Sequence, residues 1–154
     1  MTRFKSTTNA PHAWLGELPI TSRYTYGIAG ERFFRALKDE GKILGTRCHK
    51  CARTYVPAAS FCERCLSPLN DYLDMGTTGE VYTYTLLYEN YDGTAKEPPE
   101  IVAFVSFGDG GLVHKLAQVE PGDLQIGMEV EAVLKPADQR EGSILDIAHF
   151  RPVE

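Results

Sequence analysis

The sequence contains few of the groups that enzymes use for catalysis. It has four cysteines, four histidines and one tryptophan, and it lacks a glycine-rich phosphate-binding loop. Its serines do not occur in the sequence context of a serine-hydrolase nucleophile. His114 and His149 fall in predicted strands, where a hydrogen-bonded structural histidine is more frequent than a general base. We therefore expect no catalytic residues in this chain.

Long hydrophobic runs are also missing. The longest apolar stretches are far shorter than the roughly 20 residues of a membrane span, and Met1–Ser6 is not followed by the apolar run of a signal peptide. These absences favour a soluble protein in a reducing, cytoplasmic setting. With 154 residues, 43% of them hydrophobic, the chain can form one ordinary domain or two small modules that share an interface.

Charge is distributed unevenly along the chain. Residues 1–78 contain eleven Lys and Arg against seven Asp and Glu, whereas residues 79–154 contain five against fourteen. This break predicts a module boundary near Gly76–Gly79. Because nucleic acids bind to basic surface, the acidic second half makes a nucleic-acid-binding module the weaker alternative for this protein.

Two Cys-x-x-Cys pairs organise the first half of the chain. Cys48 and Cys51 form the first pair, and Cys62 and Cys65 form the second, with ten residues between the pairs. Two such turns that face each other supply a tetrahedral set of thiolates, which zinc prefers. A redox motif needs one pair beside a βαβ unit, whereas this chain has two pairs and no such pattern. Disulfides suit secreted chains, and this sequence does not have the features of one. We predict one structural zinc ion in a closed coordination shell. Iron, which a rubredoxin-like set of four thiolates also binds, is the alternative metal.

Residue periodicity predicts one helix and a β-rich second half. Gly30–Glu40 places Phe33, Phe34 and Leu37 on one face of a helix, and Gly41 is a natural stop. The predicted strands, with a polar loop at Asn90–Pro99, are Ile43–Arg47, Thr54–Val56, Gly79–Glu89, Ile101–Phe107, Leu112–Val119, Met128–Leu134 and Ser143–Phe150. Strands and cysteine pairs alternate as in a zinc ribbon, and the last five strands suit a small Greek-key barrel of the OB type.

Basic residues cluster around the cysteine pairs. They are Lys42, Arg47, Lys50, Arg53 and Arg64. Such a cluster is ordinarily a solvated surface. It alternatively helps to hold a phosphate-bearing ligand, since guanidinium and ammonium groups form charge-assisted hydrogen bonds with phosphate.

The chain contains the motifs Tyr26–Phe34, Gly45–Cys48, the two cysteine pairs, Ile126–Val130 and Phe150–Pro152. Together these motifs resemble those of the DUF35 family, and the resemblance runs from about Tyr24 to Pro152. The resemblance implies a mainly β protein with three parts. These are an N-terminal arm and helix at residues 1–41, a rubredoxin-like zinc ribbon at 42–75 and a C-terminal five-stranded OB-fold barrel at 76–154.

The resemblance also implies a function. Family members form stable complexes with thiolases or related acyl-CoA enzymes, so it implies a noncatalytic subunit of a hetero-oligomer. Such a subunit helps to bind or channel a CoA thioester and completes the active site of a larger thiolase-like catalytic subunit. CoA carries a diphosphate and a 3′-phosphate, which makes the basic cluster the candidate CoA contact, although no family motif fixes its individual residues. A stand-alone hydrolase or acyl carrier is the weakest alternative.

The segment before the helix is similar to one subgroup of these proteins. The stretch Ala13–Pro19, which includes the single tryptophan Trp14, resembles thiolase-associated small subunits of anaerobic aromatic (toluene) degradation. From the residues alone, Trp14 either folds back on the domain or docks on another chain.

Overall fold

The computed structural model describes residues 24–90 and 92–153, which form one helix, a small sheet and a closed barrel. The predicted arm at Ala13–Pro19 lies outside these residues. Helix α1 covers Gly27–Arg35 and continues as a wider π-helical turn over Ala36–Glu40. The strands are β1 Leu44–Cys48, β2 Arg53–Tyr55, β3 Asp71–Asp74, β4 Thr78–Glu89, β5 Ala95–Phe107, β6 Gly110–Leu116, β7 Glu129–Leu134 and β8 Ile147–Pro152. No helix in the described ranges is long and apolar enough to cross a membrane.

Helix α1 buries the face that the sequence predicts. Phe33 and Leu37 are almost fully buried, and Phe34 packs partly against the same core. The helix begins three residues earlier than predicted, because Ala29, at 3% exposure, extends the core-facing stripe. Gly41 ends the helical segment with a φ of 69°, a left-handed conformation that glycine adopts without steric cost.

Strand β1 is the centre of the small sheet, whose order is β2-β1-β3. It pairs antiparallel with both neighbours, so that Thr46 lies opposite Tyr55 on one side and Tyr72 on the other. The sequence did not predict β3, because its four residues, Asp-Tyr-Leu-Asp, show no alternation of apolar and polar side chains.

The second half of the chain forms a closed five-stranded barrel with the order β4-β5-β6-β8-β7. All neighbouring strands are antiparallel except β6 and β8, which are parallel where Leu116 meets Phe150. Inward-facing side chains fill the barrel, and Val81, Val130 and Phe150 are fully buried. The predicted mainly β fold with a five-stranded barrel is therefore confirmed.

Two predicted boundaries in the barrel are wrong. The polar loop predicted for Asn90–Pro99 is shorter, because β5 already begins at Ala95 and includes Pro98 and Pro99. Among the described residues, β6 pairs with β5 only from Ile101 onward, so Pro98 and Pro99 lie where one edge of β5 has no neighbouring strand. Such an edge tolerates proline, which has no N–H to donate. The last strand begins later than predicted, at Ile147.

A buried carboxylate explains the late start of β8. Asp146 is 1% exposed and lies in a single 3₁₀ turn, Ile144–Asp146. Its side chain accepts hydrogen bonds at 2.8–3.2 Å from three backbone N–H groups, those of Glu141, Gly142 and Ser143. Burial opposes ionisation, but these donors together lower the pKa of the carboxyl below its ordinary value. The turn is therefore fixed by a polar cap, and hydrophobic periodicity does not reveal it.

Side chains from the helix, the small sheet and the barrel meet in one hydrophobic core, which contains Phe33, Ile43 and Phe150. The small sheet also bonds to the barrel through the backbone, where the N–H of Gly111 donates to the carbonyl of Val56 at 3.2 Å. The domain boundaries predicted at 41/42 and 75/76 stay predictions, because this shared core does not divide the chain.

Candidate metal centre

The four cysteines converge at one end of the small sheet. The Sγ atoms of Cys48, Cys51, Cys62 and Cys65 all lie within 4.8 Å of one another, and those of Cys48 and Cys65 are 3.6 Å apart. All four thiols are free. Because Zn–S bonds measure about 2.3 Å, a tetrahedral zinc ion holds its sulfur ligands about 3.8 Å apart. The donor set of this cysteine cluster fits such an ion in both chemistry and spacing.

The two cysteine turns share one backbone conformation. In each turn, the residue directly after the second cysteine has a positive φ, 53° at Ala52 and 57° at Leu66. Residues with a Cβ adopt this conformation rarely, since it costs roughly 1 kcal/mol or more. Its repetition at equivalent positions indicates that one geometric requirement, the convergence of the thiols, shapes both turns.

The sulfur atoms differ in their surroundings. Cys48 and Cys62 are almost fully buried, whereas Cys51 and Cys65 are half-buried. The hydroxyl of Tyr55 lies 3.2 Å from Cys62 Sγ and accepts a hydrogen bond from the N–H of Glu63. Tyr55 therefore holds the second cysteine turn against strand β2.

These contacts change the acidity of the thiols. The hydrogen bond from the Tyr55 hydroxyl lowers the pKa of Cys62 to about 6, and the neighbouring Ser67 hydroxyl lowers the pKa of Cys65. The contact with Cys65 raises the pKa of Cys51 to about 12. Both lowered pKa values shift their sulfurs toward the thiolate form, which is the form that binds a metal.

A cleft of about 630 Å³ lies beside the first cysteine turn and contains two of the five predicted CoA-binding residues, Arg47 and Lys50. The cleft is also lined by His49 and Asp71, whose side chains are 3.1 Å apart. We call this site the basic cleft. It places two cations beside the cysteine cluster.

The other three predicted CoA-binding residues are not among those that line the basic cleft. Lys42 pairs instead with Glu40 at 2.7 Å, and this hydrogen bond raises the pKa of the lysine. Arg53 and Arg64 are exposed. Of the five cations that lie close together in the sequence, two therefore line the basic cleft and three do not.

The chain is similar to known protein domains and to known proteins. The family model described as "ChsH2, rubredoxin-like zinc ribbon domain" matches residues 35–70, and "ChsH2, C-terminal OB-fold domain" matches residues 72–135. A "DUF35 domain-containing scaffold protein" of Methanocaldococcus jannaschii is 28% identical over 127 residues, which cover 80% of this chain and 90% of that protein. The chain belongs to the DUF35 family. The zinc ribbon domain predicted from the sequence is confirmed, and its four cysteines are positioned to bind a metal.

Two further relatives of this DUF35 chain carry names with a function. A protein of Thermomonospora curvata named "Probable enoyl-CoA hydratase alpha subunit" is 31% identical over 121 residues, which cover 78% of this chain and 36% of that protein. A solved structure named "Ltp2-ChsH2(DUF35) aldolase" is similar with a TM-score of 0.59 and 27% identity, covering 84% of this chain and 98% of that one.

Sequence reasoning missed two polar residues beside the metal centre. Tyr55 follows the first cysteine turn in a predicted strand, and a tyrosine at that position was a usable signal that a hydroxyl could reach the sulfurs. Asp71 lies in β3, the strand that the sequence did not predict, so nothing in the pattern placed it opposite Arg47.

The Tyr55→Phe variant tests the role of the hydroxyl in this DUF35 protein. Loss of the contact with Cys62 removes a donor that stabilises a thiolate, and such partners of metal ligands typically change metal affinity by about 10- to 100-fold. We expect faster loss of the metal to a chelator at neutral pH, measured by a colorimetric zinc indicator. Tyr88→Phe, at an exposed tyrosine of β4, is the matched control. Equal metal release from both variants would contradict this role.

Proposed function

We propose that this chain is a noncatalytic accessory subunit of a complex that acts on CoA thioesters, in which a larger thiolase-type subunit supplies the nucleophile. The observation that carries the proposal is the convergence of the cysteines. The sequence has four cysteines, and all four lie in the cluster. A thiolase needs a cysteine nucleophile, so in such a reaction that cysteine belongs to another protein.

The names of the relatives support an accessory role. The Methanocaldococcus jannaschii relative is named a scaffold protein, and the Thermomonospora curvata relative is named as a subunit of an enoyl-CoA hydratase. The solved structure is named as an aldolase after both Ltp2 and ChsH2(DUF35). We therefore propose that this chain binds a catalytic subunit, and more specifically a thiolase-type acyltransferase.

A structural zinc ion belongs to this proposal. Cys48, Cys51, Cys62 and Cys65 would hold it, and the metal would supply folding free energy to the small sheet. Four thiolates complete a tetrahedral shell and leave no position for water or substrate. The bound metal would therefore stabilise the small sheet and so fix the basic cleft relative to the helix and the barrel.

We place the CoA contact at the basic cleft. In the β1–β3 register Arg47 lies opposite Asp71, but the Asp71 carboxylate contacts His49 at 3.1 Å. Among the described residues, Arg47 and Lys50 form no ion pair with a carboxylate of the chain. Both cations therefore remain available to the diphosphate or the 3′-phosphate of CoA, which charge-assisted hydrogen bonds recognise.

The double variant Arg47→Gln/Lys50→Gln tests the CoA contact. Two lost charge-assisted hydrogen bonds should weaken CoA binding by the isolated complex by at least about tenfold, measured by isothermal titration at fixed ionic strength. The matched control is Arg53→Gln/Arg64→Gln, which removes the same charge from exposed positions outside the cleft. Equal losses in both variants would show a general charge effect, and no loss in the first would exclude the basic cleft.

Purification of the tagged chain from its native host tests the partnership itself. We expect a larger thiolase-like chain to co-purify in a fixed ratio, from the cytoplasmic fraction. The arm resembles small subunits of anaerobic aromatic degradation, which makes benzoylsuccinyl-CoA thiolase the first candidate for the whole complex. Recovery of the chain without any acyl-CoA enzyme would refute the accessory role.

A further inference from the structure

The strands β4 and β5 extend beyond the body of the barrel as a hairpin. Strand β4 pairs with β7 over Thr78–Glu80 alone, whereas it pairs with β5 as far as Glu89, which lies opposite Ala95. Strand β6 joins β5 from Ile101 onward. We call Tyr82–Glu89 together with Ala95–Glu100 the β4–β5 hairpin. Within the described residues, the β4 side of this hairpin has no neighbouring strand.

The hairpin is exposed on both faces of its first strand. Seven of the eight residues from Tyr82 to Glu89 are exposed, and Leu86 is half-buried. Large apolar groups are included, since Tyr82 is 67%, Tyr88 61% and Leu87 40% exposed. A two-stranded hairpin without a packed face is at best marginally stable in water. This hairpin therefore lacks a layer that would cover it.

The two edges of the hairpin differ in how they are protected against pairing. The β5 edge carries Pro98 and Pro99 and an ion pair between Lys96 and Glu100, features that natural sheets use to block edge association. The β4 edge has the sequence Val-Tyr-Thr-Tyr-Thr-Leu-Leu-Tyr at residues 81–88, without charge, proline or glycine. Its register shifts lie outside Thr83–Leu87. A regular, uncharged edge of this kind is prone to association unless a partner covers it.

Charge around the hairpin selects the kind of partner. The stretch of residues 80–100 contains five carboxylates, Glu80, Glu89, Asp92, Glu97 and Glu100, against one lysine. A second copy paired antiparallel with Tyr82 opposite Leu87 would bring Glu80 of one protomer opposite Glu89 of the other, and like charges in opposite positions destabilise a sheet. Nucleic acid would be repelled by the same carboxylates. The surface therefore fits a protein with an apolar strip bordered by Lys or Arg.

We propose that the β4–β5 hairpin is the docking surface for the larger catalytic subunit, which covers the β4 edge with an apolar strip bordered by basic residues. This inference rests on the proposed function, from which it takes the existence of that subunit. It assigns the protein contact to the opposite end of β5 from the metal centre. The small sheet bonds to the barrel at Gly111, beside the Phe107 end of β5, and a strand of 13 residues is about 40 Å long.

Site-specific photocrosslinking in the native host tests this assignment. The photoreactive residue p-benzoylphenylalanine replaces Tyr88 on the hairpin or Phe61 in the second cysteine turn, two aromatic side chains that are both 61% exposed. Irradiated complexes are purified through the tagged chain and the linked peptides are sequenced by mass spectrometry. Zinc content and melting temperature establish that both probe variants are folded. We expect the Tyr88 probe to link to the larger acyl-CoA subunit.

The outcomes separate this inference from the proposed function. A link from the Phe61 probe alone to the acyl-CoA subunit would overturn the hairpin assignment and leave the accessory role intact. A link from the Tyr88 probe to a second copy, to residues 1–23 of the same chain, or to a protein without acyl-CoA chemistry would also overturn the assignment. If no acyl-CoA enzyme co-purifies with the unmodified chain, both the assignment and the proposed function are wrong.

A charge comparison tests the basic border of the partner surface. Tyr88→Glu and Tyr88→Lys remove the same apolar ring but add opposite charges. We expect the dissociation constant of the complex to rise on the order of tenfold more for Lys than for Glu, as repulsion across an interface predicts. The reverse order would overturn the basic border.

Discussion

The Cys62→Ser variant should lose the metal and unfold the small sheet. Cys62 is fully buried, and its sulfur is one of the four that converge. In zinc-ribbon and zinc-finger modules metal binding and folding are one event, with apparent binding free energies of about 10–16 kcal/mol. We expect elemental analysis to find close to one zinc ion per wild-type chain and almost none in the variant. Circular dichroism should show a much lower melting temperature.

The Glu63→Gln variant is the matched control, because Glu63 is an exposed neighbour of Cys62 in the same turn. It should keep both its metal content and its melting temperature. A Cys62→Ser protein that retains full metal and melts normally would show that the cysteine cluster is not the metal site. Iron in place of zinc in the wild-type protein would change the identity of the ion and leave the site as described.

The Phe33→Ala variant should be destabilised by about 3–5 kcal/mol, the usual cost of removing a buried aromatic ring. Phe33 is 1% exposed, lies in the core shared by helix, small sheet and barrel, and stacks edge-on with Phe34 at a centroid distance of 5.2 Å. Urea denaturation in zinc-containing buffer measures the change in the free energy of unfolding while the metal site stays loaded.

Ile28→Ala provides the control on the same helix. Ile28 is 69% exposed, so its truncation should change the free energy of unfolding by less than about 0.5 kcal/mol. Similar small losses in both variants would contradict the packing of α1 against the shared core. A large loss in both would indicate that the Ile28 face of α1 is also buried, in an interface that the purified chain forms by itself.

The sequence predicts most of the architecture because its strongest signals are local. The spacing of the cysteine pairs predicts the metal centre, and the face formed by Phe33 and Leu37 predicts the helix. Alternating side chains predict the five barrel strands. Most of the predicted strand ends lie within a few residues of the observed ends. The parts it does not predict depend on contacts between distant segments. Strand β3 pairs with β1 across the second cysteine turn, and Asp146 caps a turn that has no apolar period.

The same reason limits what the sequence says about the candidate site. Five cations lie close together along the chain, but in the fold Arg47 and Lys50 share a cleft while Lys42 pairs with Glu40. The contact between Tyr55 and Cys62 likewise arises only after folding. A spacing pattern identifies metal ligands, because their separation is fixed by the turn, but it does not identify the groups that the fold brings to them.

Two surfaces with different chemistry emerge from this structure. The basic cleft beside the cysteine cluster carries cations suited to the phosphates of CoA, and the β4–β5 hairpin carries tyrosines and leucines within an acidic surround. We propose that the first contacts substrate and that the second contacts the catalytic subunit. In this proposal the four cysteines hold a metal that stabilises the fold, and the reaction takes place on the partner.

Reconstitution of acyl-CoA turnover tests the accessory role most directly. The purified chain, the purified larger subunit and their mixture are assayed for release or consumption of free CoA from the same acyl-CoA substrate. We predict no turnover by this chain alone, little by the larger subunit alone, and full activity when the two are combined. Turnover by this chain alone, or full activity of the larger subunit without it, would contradict the account.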